Sequence, residues 1–250
     1  MYSHTFICGK VKSPRISVGL FLEDFMKKKI SVNQISGIAV FSALAVVVAL
    51  ICQVIPNIAG FLSLDVKDAV IAIASFIYGP ISAVVIAFIS AFIEAVTFST
   101  TEWYGFIMNF ASSAVFSLCA SLIYKKFRTL NGALSGFVVA IITTTSVMLL
   151  LNIFVTPLFM VYKGIMPTSE SASAFVRDML PKVLLPFNFA KTLLNSALAM
   201  MLYKPVSKAM SHIGIANKKM GTKFNKNSVI ILVVGTIALI ISLIILFAIA

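Results

Sequence analysis

The chain has 250 residues, 60% of them hydrophobic and 11% charged, with a mean hydropathy of +1.05. A soluble domain carries about 25% charged residues and a disordered chain has low hydrophobicity, so the composition excludes both classes. The net charge of +12, from 20 Lys and Arg against 8 Asp and Glu, fits a nucleic-acid surface or the cytoplasmic loops of a membrane protein, and charge placement decides between them.

Residues 1–29 are polar and mildly amphipathic and lack the pattern of a cleavable signal. Met26-Lys27-Lys28-Lys29 stands directly before the first apolar run and reads as a natural chain start. Residues 1–25 are therefore expected to be dispensable, which mass spectrometry of the native N-terminus would test. A spanning helix needs about 20 mostly apolar residues. Asn33 to Ile55 supplies the first without a charge and stops at Pro56-Asn57. The stretch from Ala69 to Phe98 is too long for one span and is divided by Gly79-Pro80. Its halves are a short second span, Ala69 to Tyr78, and a third, Ile81 to Phe98. The fourth covers Gly105 to Tyr124, the fifth Gly132 to about Phe159, and the sixth Val183 to Tyr203. The expected architecture is an all-α integral membrane protein. It has a cytoplasmic segment 1–29, a six-span core 30–210, a basic cytoplasmic linker 211–227 and a seventh span 228–250.

Fifteen of the 20 basic residues precede span one, join spans four and five, or join spans six and seven. Those regions share one side if each span crosses once. Only Lys67, Lys163, Arg177 and Lys182 fall on the other side, with Asp65, Asp68, Glu102, Glu170 and Asp178. The positive-inside rule puts the N-terminus in the cytoplasm and the C-terminus outside, in a multi-pass protein of the plasma membrane. No basic patch with interleaved aromatics remains, so nucleic acid is not an expected partner. Cys8, Cys52 and Cys119 form no CxxC pair, and His4 and His212 are isolated, so no metal site is expected.

The remaining basic residue, Lys191, is the only cation read as lying well inside a span. It sits about eight residues from the outer end of the sixth span, roughly 12 Å deep. Polar residues recur at helical spacing around it. They are Ser90, Glu94 and Thr97 in span three, and Asn109, Ser113 and Ser117 in span four. Thr145, Asn152 and Thr156 follow in span five, and Asn188, Lys191 and Asn195 in span six. Four such faces suggest a polar interior or ligand cavity. The alternative for Lys191 is snorkelling or an ion pair with Glu94 that glues helices together. An amide one turn from a cation suits a planar heterocycle with alternating carbonyl and N–H groups. Trp103-Tyr104 reads as an interface marker that could also cover a ligand. Ala39 and Ala43, like Ala45 and Ala49, form small-xxx-small pairs suited to close helix contact. No P-loop, HExxH or GxSxG motif is present, nor a nucleophile beside a base, so no enzyme is indicated.

In order, the chain carries Leu64-Asp65-x-x-Asp68, Phe76-Ile77-Tyr78-Gly79-Pro80, Ile93-Glu94-x-x-Thr97 and Met108-Asn109. Asn152, then Thr156-Pro157, Pro186-Phe187-Asn188-Phe189-Ala190-Lys191 and Tyr203-Lys204-Pro205 follow. Over residues 30–210 this resembles the substrate-binding S component of an energy-coupling-factor (ECF) vitamin transporter, most like the riboflavin-specific type. The resemblance implies a six-helix S-component bundle, to which the seventh C-terminal transmembrane helix is an addition. It implies capture of riboflavin, as transported substrate and not cofactor, at the outer face. The implied partners are a transmembrane coupling subunit (the T component) and two ATP-binding subunits, and the subunit topples in the bilayer to deliver its load. Asn152, Asn188 and Lys191 match flavin-ring contacts, Asp68 matches the region covering the substrate, and Ala39 and Ala43 match the coupling-subunit face. Asn109 and Glu94 join the expected substrate site from their polar faces. The other readings are an S component for a different vitamin, a membrane scaffold whose polar faces are helix glue, or an ion-driven carrier suggested by Glu94.

Overall fold

The computed structural model describes residues 31–58, 62–127, 130–212 and 226–249. The expectations for residues 1–29 and for most of the basic linker fall outside them. The helices are α1 (Val32–Cys52), α2 (Lys67–Tyr78), α3 (Pro80–Thr97), α4 (Glu102–Phe127) and α5 (Leu130–Tyr162). They continue with α6 (Ser169–Met179), a π-helical turn (Leu180–Leu184), α7 (Leu185–His212) and α8 (Lys226–Ile249). The extended pairing among the described residues is a single bridge between Ile58 and Leu62. The protein is an all-α, multi-pass membrane protein. Among the described residues, six helical segments are long and apolar enough to cross a membrane: α1, α3, α4, α5, the run from α6 through α7, and α8.

The exception is α2. Its 12 residues reach about 18 Å at 1.5 Å per residue, short of the roughly 30 Å hydrocarbon core. It is the central element and packs against α1, α3, α4 and α7. Small residues allow this: Ala69, Ala72 and Ala74 are buried beside Ile71 and Ile73. Its C-terminal end is fixed by Gly79, whose φ of +101° favours glycine, and by Pro80 at the first turn of α3. Gln34 in α1 donates to Ser82 Oγ at 3.1 Å at the same level. Phe76 packs there against Tyr124, Phe137 and Tyr203, with ring centroids 4.5, 5.4 and 5.6 Å away. Gly136 is required in α5, because a Cβ there would lie 2.8 Å from the Ala120 carbonyl oxygen of α4.

The helix α6 was not expected between spans five and six. It is amphipathic and buries only Ala172 and Val176, and its Glu170, Arg177 and Asp178 keep it below the apolarity of a span. Thr168 caps it by accepting from Ser171 N at 3.2 Å. The π-helical turn follows from Pro181 and Pro186, neither of which supplies the N–H that an α-helix needs. The expected seventh span is present as α8 and packs on α7, where Gly235 faces Met201 and the Ala197 carbonyl.

Candidate functional site

Because α2 is short, it begins inside the bundle and not at its surface. The residues that start it, Asp65 to Asp68, are therefore drawn into the interior. Asp65, Lys67, Asp68, Glu94 and Lys191 are all buried there. Removing a charge from water costs several kcal/mol per ion unless it is paired and hydrogen-bonded. Lys191 Nζ donates to Asp65 Oδ2 at 2.8 Å. Lys67 Nζ donates to Glu94 Oε2 and lies 3.9 Å from Asp65. Asn109 Nδ2 donates to Glu94 Oε1 at 2.7 Å. Asp68 accepts from Ser113 and, at 3.2 Å, from Ser112. The ammonium groups of Lys191 and Lys67 offset the cost of burying the Asp65 carboxylate.

Asn195 of α7 joins this cluster to the backbone. Its Oδ1 accepts at 2.8 Å from Ala69 N, an N–H of the first turn of α2 that also donates to the Val66 carbonyl at 3.2 Å. Its Nδ2 donates to the Asp65 carbonyl at 3.1 Å. One asparagine thus fixes both the start of α2 and the backbone of the Lys191 counter-ion. Asp68, in the first turn of α2, also complements the positive end of the helix dipole.

Four of the six expected substrate residues, Asp68, Glu94, Asn109 and Lys191, lie in this one cluster. The other two do not bond to it. Asn152 donates to Met148 O at 2.7 Å and accepts from Thr156 Oγ1 at 2.9 Å. Thr156 reaches Tyr104 OH at 3.1 Å, and Tyr104 stacks on Phe159 at 4.4 Å. Tyr104 is thus an interior residue of the α4–α5 seam, whereas Trp103 stays partly exposed beside Tyr162, over whose ring Lys163 Nζ lies. Asn188 Nδ2 donates to Leu184 O, at the end of the π-helical turn, at 2.8 Å. Asn188 sits one turn before Lys191 on the same buried face.

One sequence expectation and one alternative reading are corrected. Lys191 is not the sole cation inside the bundle: Lys67, counted among the outer charges, is 1% exposed. Nor does Lys191 pair with Glu94; the partners are exchanged, Lys191 with Asp65 and Lys67 with Glu94. Asp65 and Lys67 were missed as site residues because a span was expected to start only at Ala69. Their signal was the alternating signs of Asp65, Lys67 and Asp68 at the mouth of an unusually short span.

Beside the cluster lies a cavity of about 20 Å³, room for about one water. Gln53, Asn57, Ser63, Asp65 and Glu94 line it, together with Ala49 and Cys52 of α1. On α1 the two small-residue pairs part company. Ala45 and Ala49 are buried against the bundle, whereas Ala39 and Ala43 are exposed.

Residues 33–207 match the family described as the substrate-specific component of ECF transporters. The chain belongs to this family of S components. It is 28% identical over 176 residues to the riboflavin transporter RibU of Staphylococcus aureus (strain TCH60), covering 70% of this chain and 91% of that protein. It is also similar to a solved S component of a bacterial ECF transporter, with a TM-score of 0.58 at 27% identity, covering 71% of this chain and 96% of that one. The family comprises transporter components and not enzymes. Helix α8 lies beyond the matched residues.

Proposed function

We propose that this S component binds riboflavin at the outer end of its bundle and delivers it inward with a coupling subunit and two ATP-binding subunits. The observation that carries the ligand class is the buried pair Asn188 and Lys191, one helical turn apart. An ammonium donor beside an amide with both donor and acceptor matches the alternating carbonyl and N–H edge of an isoalloxazine ring. The similarity to a riboflavin transporter over 91% of that protein supports the same ligand. Asn152 presents a further amide from α5, and Asp68, Asn109 and Glu94 set the charge and hydrogen bonding around Lys191.

A vitamin-sized ligand needs a pocket of several hundred Å³, far more than the cavity beside Asp65. Seating the ligand beside Asp65 therefore requires the residues that line this cavity to move apart. The exposed Ala39–Ala43 stripe on α1 is the face offered to the coupling subunit. The N-terminus lies in the cytoplasm and the C-terminus outside, with residues 30–210 as the transporting core and 228–250 as an accessory helix.

The test is a titration of the purified chain with a vitamin panel. Riboflavin is expected to bind with quenching of flavin fluorescence. Binding of a different vitamin with no response to riboflavin would replace the substrate but keep the S-component role.

A further inference from the structure

We infer that Asp65 is a specificity-determining residue, one that accepts a hydrogen bond from an uncharged, donor-bearing ligand and makes the site reject the phosphorylated form of that ligand. This rests on the flavin reading above. The first observation is an orphaned atom. Asp65 is buried and its Oδ2 is taken by Lys191, but its Oδ1 has no hydrogen bond of good geometry among the described residues, the Lys67 backbone N–H adding only a weak contact to the carboxylate. A buried carboxylate oxygen is acceptor-only, and leaving it unmatched is unfavourable. It therefore favours a ligand that brings a hydroxyl or an N–H. A polyol chain or an imide does so, while a dianionic phosphate brings only acceptors.

The second observation is the charge balance. The cluster holds two ammonium groups, Lys67 and Lys191, against three carboxylates, Asp65, Asp68 and Glu94. Each ammonium already has a carboxylate within hydrogen-bond distance. The balance is negative with every group ionised and zero with Asp68 protonated, so neither lysine is left uncompensated. An anion taken into a water-poor interior needs a cation of its own.

The third observation is the cavity lining. Among Ala49, Cys52, Gln53, Ile55, Asn57, Ser63, Leu64, Asp65 and Glu94, both charged residues are acidic. The cations nearer the outer surface do not change this. Lys163 is paired with Glu102 at 2.6 Å and Lys182 with Asp178 at 2.5 Å, while Arg177 is exposed. Coulomb interaction falls only as 1/r, so in the interior it spans a polyol chain of about 10 Å. The carboxylates of the cluster therefore act on the phosphate in any pose of the ring that keeps the polyol chain within the bundle.

The experiment compares riboflavin with flavin mononucleotide by fluorescence titration of the purified full chain, wild type and Asp65→Asn. The wild type is expected to bind riboflavin more tightly by about tenfold or more. Asp65→Asn removes one negative charge but keeps an acceptor oxygen. It is expected to narrow the preference about tenfold, chiefly by strengthening flavin mononucleotide binding. Glu94→Gln makes the same charge change on the same cavity and serves if Asp65→Asn does not fold. Equal wild-type affinity for the two flavins would show that the phosphate stays outside the site, and would overturn the inference. So would a preference unchanged in whichever variant folds. If the wild type binds neither flavin, the riboflavin reading fails first and takes this inference with it.

Discussion

The N-terminal end of α2, the proposed outer end, is enclosed at Lys67 and Asp68 by carboxylates, ammonium groups, serines and asparagines. Its inner end, at Phe76, is enclosed by the rings of Tyr124, Phe137 and Tyr203. Both ends are buried, and one short helix joins them through Ala69, Ile71, Ala72, Ile73 and Ala74. The inner end is what a helix bundle needs in order to pack. The outer end is not, because a set of buried ion pairs is often no more stabilising than apolar residues of the same volume. Five ionisable groups kept there against that cost point to a ligand, and the aromatic seam at the other end points to stability.

The sharpest way to break this comparison is at Lys191. Lys191→Ala removes the proposed ring contact and strands the Asp65 carboxylate, so riboflavin affinity is expected to fall about 100-fold or more. Fluorescence titration measures it, and an affinity within threefold of wild type would remove the functional assignment of the outer end. At the inner end the expectation is reversed. Phe76→Ala should cost about 3 kcal/mol of stability through loss of ring packing, seen as a lower melting temperature in detergent. The folded fraction should still bind riboflavin at close to the wild-type affinity. Between these lie the two amides outside the charged cluster. Asn188→Ala and Asn152→Ala should each weaken riboflavin binding about tenfold, the scale of one buried hydrogen bond to a ligand. If only Asn188→Ala has an effect, the Asn152–Thr156–Tyr104 chain is a structural seam and not a ligand contact.

The spans were legible in the sequence because each is a long apolar run with punctuation, as at Pro56-Asn57 and Gly79-Pro80. So were the polar faces bearing Glu94, Asn109 and Asn195, because helical spacing survives as a sequence pattern. What the pattern could not carry was depth. Hydropathy ends a span at its first charge, so Asp65, Lys67 and Asp68 read as an outer loop. Only the packing of α2 among four neighbours shows that it starts below the surface. The exchange of ion-pair partners was hidden for the same reason: it depends on how far α2 and α3 are offset along the bundle axis. Helix α6 was missed because it is short and amphipathic, and its burial rests on two residues.

The two small-residue pairs of α1 repeat the inner-versus-outer distinction across the helix, and they give the smallest expected effect on binding. Ala39–Ala43 and Ala45–Ala49 are the same motif in sequence, yet the first faces outward and the second faces the bundle. Ala45 is fully buried, so Ala45→Phe should overpack the core and cost about 1–3 kcal/mol or more, lowering the yield of folded protein. Ala43→Phe touches no core residue and should leave riboflavin binding by the isolated chain within twofold of wild type. In cells carrying the complete transporter, the same substitution places a ring where two helices must approach closely, so riboflavin uptake should fall several-fold. Unchanged uptake in Ala43→Phe would mean that this stripe faces lipid only and that the coupling subunit docks on another surface.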